Sequence, residues 1–415
     1  MIPKQDVLDA AKQLGLPPTT IEKDYALGWF LYGISAHSKL EKWIFKGGTC
    51  LKKCFFETYR FSEDLDFTVP ENAVYNITDI EKSLYELAEW IGDESGIDCT
   101  LHPIKIEELK NPRGNTTFCA NVRFSGPLQM PKRMQQRIKF DITNDELVVD
   151  SIDNREIHHP YRDAIDPSPL VRCYSVNDIL AEKARALVER SGRARDVFDL
   201  VNISRNFRED VSPEVARESV LKKFNFKGLE APTPESIVNS IDPQILDANW
   251  KDQLDHQLQV LPPSMDYFKD IPDSLAWWMD ESYTVEELPT VTSSDPVVPK
   301  ERFMRAYDLA APSRRVGIGR KSTTPHLGSP FSQNLDRITF AARNHLLVKV
   351  TYKGIPRLVE PYSLRRPGTG NLLLYVHEVQ RGGAPGGGIK AFMVGKIQAV
   401  EVTPNVFAPR YVIEL

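Results

Sequence analysis

The segment from Phe45 to Phe67, FKGGTCLKKCFFETYRFSEDLDF, constrains the fold more than any other part of the chain. It begins with a Gly-Gly-Thr turn that can open a helix, where backbone N–H groups and the helix dipole favour a phosphate. It ends with alternating acidic and apolar residues, which is typical of a strand with Asp64 and Asp66 on one face. A phosphate site followed by two convergent carboxylates indicates a nucleotide site.

The two aspartates predict a metal site. Mg²⁺ is usually held by one or two carboxylates together with substrate phosphates. Other candidate contacts to the phosphates in this segment are Lys46, Lys52, Lys53, Arg60 and Ser62. Each motif also has an ordinary interpretation, because a lone Gly-Gly is usually a turn and a lone Asp-x-Asp is usually a solvated strand end. Their order within one strand-and-helix unit favours a functional interpretation.

A later segment, residues 176–189, has the pattern of an amphipathic helix. Its apolar residues recur at helical spacing and leave Lys183 and Arg190 on roughly one flank. That flank could face a triphosphate. By spacing alone, a solvated helix with salt bridges is the more typical outcome.

These motifs resemble the AbiEii-type nucleotidyltransferase toxins, a branch of the polymerase-beta-like nucleotidyltransferase superfamily. The resemblance rests on Lys-Gly-Gly-Thr at residues 46–49, a helix, and then RFSEDLDF at residues 60–67. A lead-in at residues 21–25 and a second block at residues 179–200 also match. Distant superfamily members have Gly-Ser and a shorter spacer before the aspartates, whereas this chain has Thr49, which keeps the hydroxyl.

The resemblance implies a fold, an activity and a partner. The expected fold is an α/β (α+β) nucleotidyltransferase domain with a helical part. The expected activity is Mg²⁺-dependent transfer of a nucleotide from an NTP to an RNA hydroxyl, with the tRNA 3′ end as the class of acceptor. The expected partner is a cognate antitoxin, because these toxins belong to two-gene pairs of bacterial or phage defence.

The resemblance also assigns roles to residues. It implies that Asp64 and Asp66 hold Mg²⁺ and that Lys183 matches the active-site lysine of the family. Superfamily enzymes use a third carboxylate from an adjacent strand as a base, and the strand-like run at residues 137–142 offers Asp141. The alternative is that Asp141 ends the strand and starts the turn at residues 143–145, and the pattern supports both interpretations equally. The residues expected to bind the nucleotide are Gly47, Gly48, Thr49, Lys53, Ser62, Arg190 and Asp196, with Asp199 as a further candidate.

Composition limits the partners and the compartment. With 415 residues and 41% hydrophobic content, the chain can bury a large core and has the length of two or three domains. Because the formal net charge is -5, contacts with RNA must use local basic surface, around residues 185–195 or 302–321. The chain shows neither an amino-terminal signal nor an apolar run of membrane-spanning length, which predicts a cytoplasmic protein without membrane contact.

The five cysteines do not have the spacing of a metal site, and their odd number argues against a disulfide framework. Cys50 and Cys54 lie one helical turn apart. Without a second pair or nearby histidines, they are expected to be buried small hydrophobic residues rather than zinc ligands. A reducing cytoplasm agrees with this composition.

Shifts in composition divide the chain into three parts. Residues 1–280 alternate helix and strand patterns and form the expected catalytic domain. Residues 281–333 are rich in Pro, Ser, Thr and Gly, which is typical of a linker. Residues 334–415 begin with an amphipathic helix and continue with short β-rich runs between Gly-rich turns, which predicts a small barrel.

The carboxy-terminal part resembles a WYL-like domain, an Sm-like barrel associated with sensing of nucleic acids or nucleotide ligands. The landmarks are Tyr352, Arg357, residues 360–362, residues 395–397 and Phe407. The tripeptide that names the family is absent, and Leu372-Leu373-Leu374 stands near its place. Two roles therefore remain open, ligand sensing and a structural or docking role.

Two other functions remain open for the whole chain. A nucleotidyltransferase that modifies an antibiotic or a sugar would share the donor site and lack RNA dependence; the carboxy-terminal part and the basic helix argue mildly against it. A catalytically silent sensor would not need paired carboxylates, so the intact Asp64 and Asp66 argue against it.

Overall fold

The computed structural model describes residues 1–56, 59–73, 75–110, 114–284, 287–293, 296–298, 330–367 and 371–415. The chain separates into two units. The first unit consists of Met1–Leu258 and Asp270–Tyr283, and the second consists of Gln259–Lys269 and Thr284–Leu415. Most of the predicted linker and the basic run at residues 302–321 lie outside the described residues.

The first unit is built on a seven-stranded mixed sheet. Its strands are β1 (Ile44–Lys46), β2 (Asp64–Thr68), β3 (Lys105–Lys110), β4 (Thr116–Arg123), β5 (Arg137–Thr143), β6 (Asp153–Glu156) and β7 (Leu170–Cys173). They lie in the order β3-β4-β5-β2-β1-β7-β6, with β2 parallel to β5 and β1 parallel to β7. The strand that carries the paired aspartates is therefore the central strand. This agrees with the expected mixed α/β class.

The first unit also contains most of the helices. They are α1 (Lys4–Leu14), α2 (Pro18–Ala36), α3 (Gly47–Cys50), α4 (Ile77–Ser95), α5 (Val176–Glu189), α6 (Ala194–Asn206), α7 (Pro213–Phe226), α8 (Pro234–Asn239), α9 (Pro243–Leu254) and α10 (Ser264–Met279), whose first residues belong to the second unit. A π-helical turn, Leu51–Phe55, continues α3. No helix among the described residues is both long enough and apolar enough to cross a membrane.

Local signals explain where the helices begin and end. Helix α5 has the predicted bounds, and its first turn is capped by the Ser175 side chain, which accepts a hydrogen bond from the N–H of Asp178. Helix α4 is capped in the same way by Asn76. It ends at Gly96, whose φ of 78° lies in the left-handed region that favours glycine.

The alternation within β2 determines which residues face the core. Leu65 and Phe67 are fully buried, and the rings of Phe67 and Phe140 stack with their centroids 6.4 Å apart. Asp64 and Asp66 point to the opposite face. A slip of one residue would bring the aspartates into the core, so burial of the apolar pair fixes the direction of the carboxylates.

The second unit contains an antiparallel sheet. Its strands are β8 (Leu346–Tyr352), β9 (Ile355–Arg365), β10 (Leu373–Arg381), β11 (Ala384–Pro385), β12 (Ile389–Met393) and β13 (Ile397–Val406). The order is β11-β10-β9-β8-β13, and β12 also pairs with β10. Among the described strands no pairing joins β12 to β13, so the sheet is open there. The antiparallel sheet is confirmed, whereas the Sm-like barrel stays a prediction.

The core of the second unit lies between this sheet and helix α11 (Pro330–Arg343). Ile338 and Ala342 of the helix are fully buried in it. Two of the WYL-like landmarks are packing residues: the Tyr352 ring stacks on Phe392 at 4.6 Å between centroids, and the buried Tyr362 hydroxyl donates to Glu360. These contacts favour a structural role for the landmarks.

Candidate active site

Three carboxylates meet on one face of the central strands. In the parallel pairing of β2 and β5, Asp66 lies directly opposite Asp141, and Asp64 lies opposite Lys139. Residues two apart on a strand share a face, so Asp64 joins the other two carboxylates. Asp141 lies within β5 rather than in the turn that follows it. The side chains of Asp64 and Asp141 are 32% and 34% exposed, which leaves both accessible.

The crowding of these carboxylates changes the acidity of one of them. Burial, together with the negative charges of Asp141 and Asp64, raises the pKa of Asp66 to about 6, and the positive charge of Lys46 opposes this rise. Carboxylates that lie close together repel one another when all are ionised, and a bound cation would relieve this repulsion. The side chains of Asp64, Asp66 and Asp141 offer only oxygen ligands, which fit a hard divalent cation.

Gly47 brings the Gly-Gly-Thr turn against this cluster. Its φ is +80°, and a Cβ atom at this position would lie 2.3 Å from Oδ2 of Asp66. Both facts require glycine. The first residue of α3 therefore lies beside the carboxylate, so that backbone N–H groups at the start of the helix are available next to the cluster.

Gly48 joins the turn to the second block. A Cβ atom there would lie 2.6 Å from Nη2 of Arg60 and 3.4 Å from Oδ2 of Asp199. Arg60 and Asp199 form a buried ion pair, and Arg60 also donates to the side chain of Gln257 at 2.8 Å. Asp199 lies on α6, so the turn, the segment before β2 and α6 meet at Gly48.

The Thr49 hydroxyl ties α3 to the strand that carries the aspartates. It donates to the backbone carbonyl of Asp64 and lies 2.8 Å from the Ser62 hydroxyl. Thr49 is 1% exposed. Thr49 and Ser62, both predicted to contact phosphate, thus contact each other, and Thr49 also holds the backbone of β2 in place.

Lys183 is held between two carboxylates of α6. Its Nζ lies 2.7 Å from Oδ1 of Asp196 and 2.7 Å from Oδ2 of Asp199. Burial alone would lower the pKa of Lys183, but Asp196 and Asp199 raise it above its ordinary value. Arg190 reaches the same Asp196 at 3.6 Å and is 55% exposed. The predicted residues of the second block therefore form one charged group.

Lys53 has a different position. It is fully buried, its Nζ lies 2.8 Å from Oδ2 of Asp24, and it also donates to the Asp24 carbonyl. Asp24 belongs to α2, in the lead-in at residues 21–25. These contacts favour a structural role for Lys53, and its predicted contact with nucleotide remains untested.

Three basic residues near the carboxylates form ion pairs that were not predicted from the sequence. Lys139 Nζ lies 2.6 Å from Oδ2 of Asp141, and Arg195 Nη1 lies 3.6 Å from Oδ2 of Asp64. Lys46 makes a buried ion pair with Glu182 at 2.5 Å. The alternation of residues 137–142 already places Lys139 and Asp141 on one strand face, whereas no local pattern indicates the other two pairs.

Comparisons with known proteins identify the family of the chain. A family model described as the nucleotidyl transferase AbiEii toxin of the type IV toxin–antitoxin system matches residues 29–281, which is more than half of the chain. The solved structure of MenT4, a nucleotidyltransferase toxin from Mycobacterium tuberculosis H37Rv, matches with 17% identity and a TM-score of 0.47, over 68% of this chain and 90% of that chain. No curated protein matches. The family match shows that the chain is a nucleotidyltransferase and belongs to the AbiEii family of type IV toxin–antitoxin toxins.

Proposed function

We propose that the protein uses Mg²⁺ and an NTP to transfer a nucleotide to an RNA hydroxyl, with the 3′ end of tRNA as the class of acceptor. The observation that carries the proposal is the register of β2 and β5, which sets Asp66 beside Asp141, together with the contact between Asp66 and Gly47. Carboxylates for a metal and N–H groups for phosphate thus lie next to each other, and an Mg²⁺-bound triphosphate needs both.

Asp64 and Asp66 would hold the metal. When bound, Mg²⁺ polarises the phosphoryl group and stabilises the charge that develops during transfer. Arg195, close to Asp64, and Lys139, close to Asp141, help to keep these carboxylates in position. The buried Thr49 hydroxyl donates to the Asp64 carbonyl, and this hydrogen bond anchors the backbone of Asp64 relative to α3.

Asp141 would act as the base. Its carboxylate is accessible and lies opposite Asp66, so a hydroxyl approaching the same strand face can give up its proton to Asp141 as the new bond to phosphorus forms. The hydrogen bond from Lys139 to Oδ2 orients the carboxylate.

The start of α3 and Lys183 would bind the triphosphate. Gly47 and Gly48 allow the backbone to approach the phosphates closely, as their surroundings leave no room for a side chain. The ammonium of Lys183 neutralises charge as pyrophosphate leaves, and Asp196 and Asp199 hold it in place. Arg190, which is exposed beside Asp196, extends this positive surface.

An RNA acceptor in the cytoplasm is supported by the family match and by the exposed Arg190 at the edge of the site. We also propose that the second unit contains a WYL-like domain and that this domain contributes to RNA binding. A small-molecule acceptor is the second candidate, and the experiment below distinguishes it.

The test is incubation of the purified protein with Mg²⁺, each radiolabelled NTP in turn and total cellular RNA. The Asp64→Ala variant serves as the control, with its fold checked by circular dichroism. Label in a tRNA-sized band with the unmutated protein alone would support the proposal and identify the nucleotide. Labelled RNA from a folded Asp64→Ala variant would contradict the site. Absence of labelled RNA from protein that binds Mg²⁺ and NTP would contradict the RNA acceptor and favour a small molecule.

A further inference from the structure

Three cysteines converge next to the Gly-Gly-Thr turn. Cys50 is the last residue of α3, Cys54 lies in the π-helical turn that follows, and Cys173 is the last residue of β7. Their Sγ atoms all lie within 4.8 Å of one another. We call Cys50, Cys54 and Cys173 the thiol cluster. Its members share no sequence motif, because Cys173 comes from a distant part of the chain.

The sheet brings Cys173 to the helix. In the parallel pairing of β1 and β7, Cys173 lies opposite Phe45, and the N–H of Tyr174 donates to the Phe45 carbonyl at 2.9 Å. Strand β1 leads directly into α3. The start of the helix is therefore held beside the end of β7, so the position of the third sulfur follows from the fold.

The other two sulfurs lie on one side of the helical segment. Cys50 and Cys54 are four residues apart, and residues at this spacing are neighbours on a helix surface. A π-helical turn follows Cys50, in which the N–H of Phe56 donates to the carbonyl of Leu51, five residues earlier, at 2.7 Å. Single π-helical turns within α-helices occur frequently at functional sites.

The surroundings of the cluster suit a bound ion better than three separate buried thiols. Cys50 and Cys173 are fully buried, and Cys54 is partly exposed. A buried cysteine normally packs as a small hydrophobic residue. That interpretation explains each cysteine alone but does not explain why three sulfurs from two separate elements meet at one point.

We propose that Cys50, Cys54 and Cys173 bind one thiophilic d¹⁰ cation, with Zn²⁺ as the representative ion. Thiolate ligands select such ions, whereas the carboxylates of Asp64 and Asp66 suit Mg²⁺. Zn–S bonds of about 2.3 Å in a tetrahedral site place sulfurs about 3.8 Å apart, so small movements close the cluster around the ion. Each thiol would lose its proton to solvent as its sulfur binds the metal.

Such an ion would fasten α3 to β7. Cys50 directly follows Thr49, so the ion would hold the carboxyl end of the helix whose amino end forms the phosphate-binding turn. The ion would act on stability and on the position of the helix, whichever acceptor the enzyme uses. The ion should therefore raise the thermal stability of the full-length protein even without NTP or RNA.

The test begins with full-length protein purified under reducing conditions, stripped of metal and loaded with Zn²⁺ or Co²⁺ in excess Mg²⁺, which occupies the carboxylate site. We expect one tightly bound Zn²⁺ per chain and, with Co²⁺, the intense near-ultraviolet absorption of a cobalt–thiolate bond. Cys54→Ser should lose this absorption. Cys99→Ser is the matched control, because Cys99 is also a buried thiol but does not belong to the thiol cluster. It should keep the absorption.

A second measurement needs no variant. Alkylation of the folded, unmutated protein followed by mass spectrometry should show that Zn²⁺ protects Cys54, the partly exposed member of the thiol cluster, and leaves the reactivity of Cys99 unchanged. Equal alkylation of Cys54 with and without Zn²⁺ would overturn the proposal. So would the absence of cobalt–thiolate absorption, or a Cys54→Ser variant that keeps it.

Discussion

Arg60 and Asp199 form a buried bidentate ion pair in which Nε and Nη2 of Arg60 donate to the two carboxylate oxygens of Asp199, each at 2.7 Å. The two residues are 139 positions apart in the sequence. The pair lies against Gly48, and Asp199 is also 2.7 Å from Lys183. One carboxylate thus connects the Gly-Gly-Thr turn, the segment before β2 and the lysine of α5.

Loss of this pair should destabilise the protein strongly. Among the described residues, Arg60→Ala leaves the buried Asp199 with Lys183 as its ionic partner, and removal of one member of a buried pair costs about 3–5 kcal/mol. Chemical denaturation measures the change. Lys222→Ala is the control, because Lys222 pairs with Glu218 on an exposed helix surface, where a pair contributes at most about 1 kcal/mol. Equal effects of the two substitutions would contradict the structural role of Arg60.

Gly47→Ala should reduce activity much more than stability. The left-handed backbone costs an alanine about 1–2 kcal/mol, and the new Cβ atom displaces the Asp66 carboxylate, which lies 2.3 Å from its position. A displacement of about 1 Å in an active site can reduce the rate about 100-fold. Nucleotide transfer and thermal unfolding are the measurements.

The matched control for Gly47→Ala is Gly15→Ala. Gly15 has a φ of +67°, and a Cβ atom there would have no neighbour within 4 Å. This variant should have a similar backbone strain and a normal rate of transfer. A similar loss of activity in both variants would show that strain alone, rather than contact with Asp66, explains the effect.

Binding of Mg²⁺ should depend on the ionisation of Asp66. Because the pKa of this carboxyl group is raised to about 6, it is protonated at lower pH, and protons then compete with the metal. The apparent affinity for Mg²⁺ should fall about tenfold for each pH unit below this pKa and become nearly constant above it. Magnesium titrations at a series of pH values test this. A profile that is the same in Asp66→Asn would contradict the assignment of Asp66.

The raised pKa of Asp66 affects folding without metal in the opposite direction: it makes the folded state more stable at low pH than at high pH. The folded state holds the Asp66 proton more tightly than the unfolded chain does. The contribution of this group to stability is therefore present below its unfolded value of 3.8 and is lost as the pH rises through about 6. Asp66→Asn should remove that part of the pH dependence.

Lys53 and Lys183 should behave differently when each is replaced by methionine. Lys53→Met leaves Asp24 buried without its ammonium partner and should cost about 3–5 kcal/mol of stability. The folded fraction should keep its KM for NTP, and the added Asp24→Asn substitution should restore part of the stability. Lys183→Met should raise the KM for NTP. A folded Lys53→Met variant with a raised KM would support the contact with nucleotide predicted from the sequence.

The sequence predicts those parts of the site that depend on local periodicity. The alternation of Asp64 and Asp66 with apolar residues determines their common face, and capping by Ser175 explains the start of α5. The opposition of Asp66 and Asp141 depends on strand register, and the partner of Lys53 depends on how α2 packs. Such long-range relationships come from the fold as a whole, so spacing alone could not distinguish the roles of Lys53 and Lys183.

The most direct test of the account is transfer of a labelled nucleotide to a defined tRNA with either a 3′-hydroxyl or a 3′-phosphate. It compares the unmutated protein with Asp64→Asn, which keeps the size of the side chain and removes its charge. We expect labelled tRNA only when the unmutated protein, Mg²⁺ and the 3′-hydroxyl are all present. Transfer by a folded Asp64→Asn variant at the normal rate would contradict the metal site, and equal labelling of the 3′-phosphate tRNA would contradict the proposed acceptor.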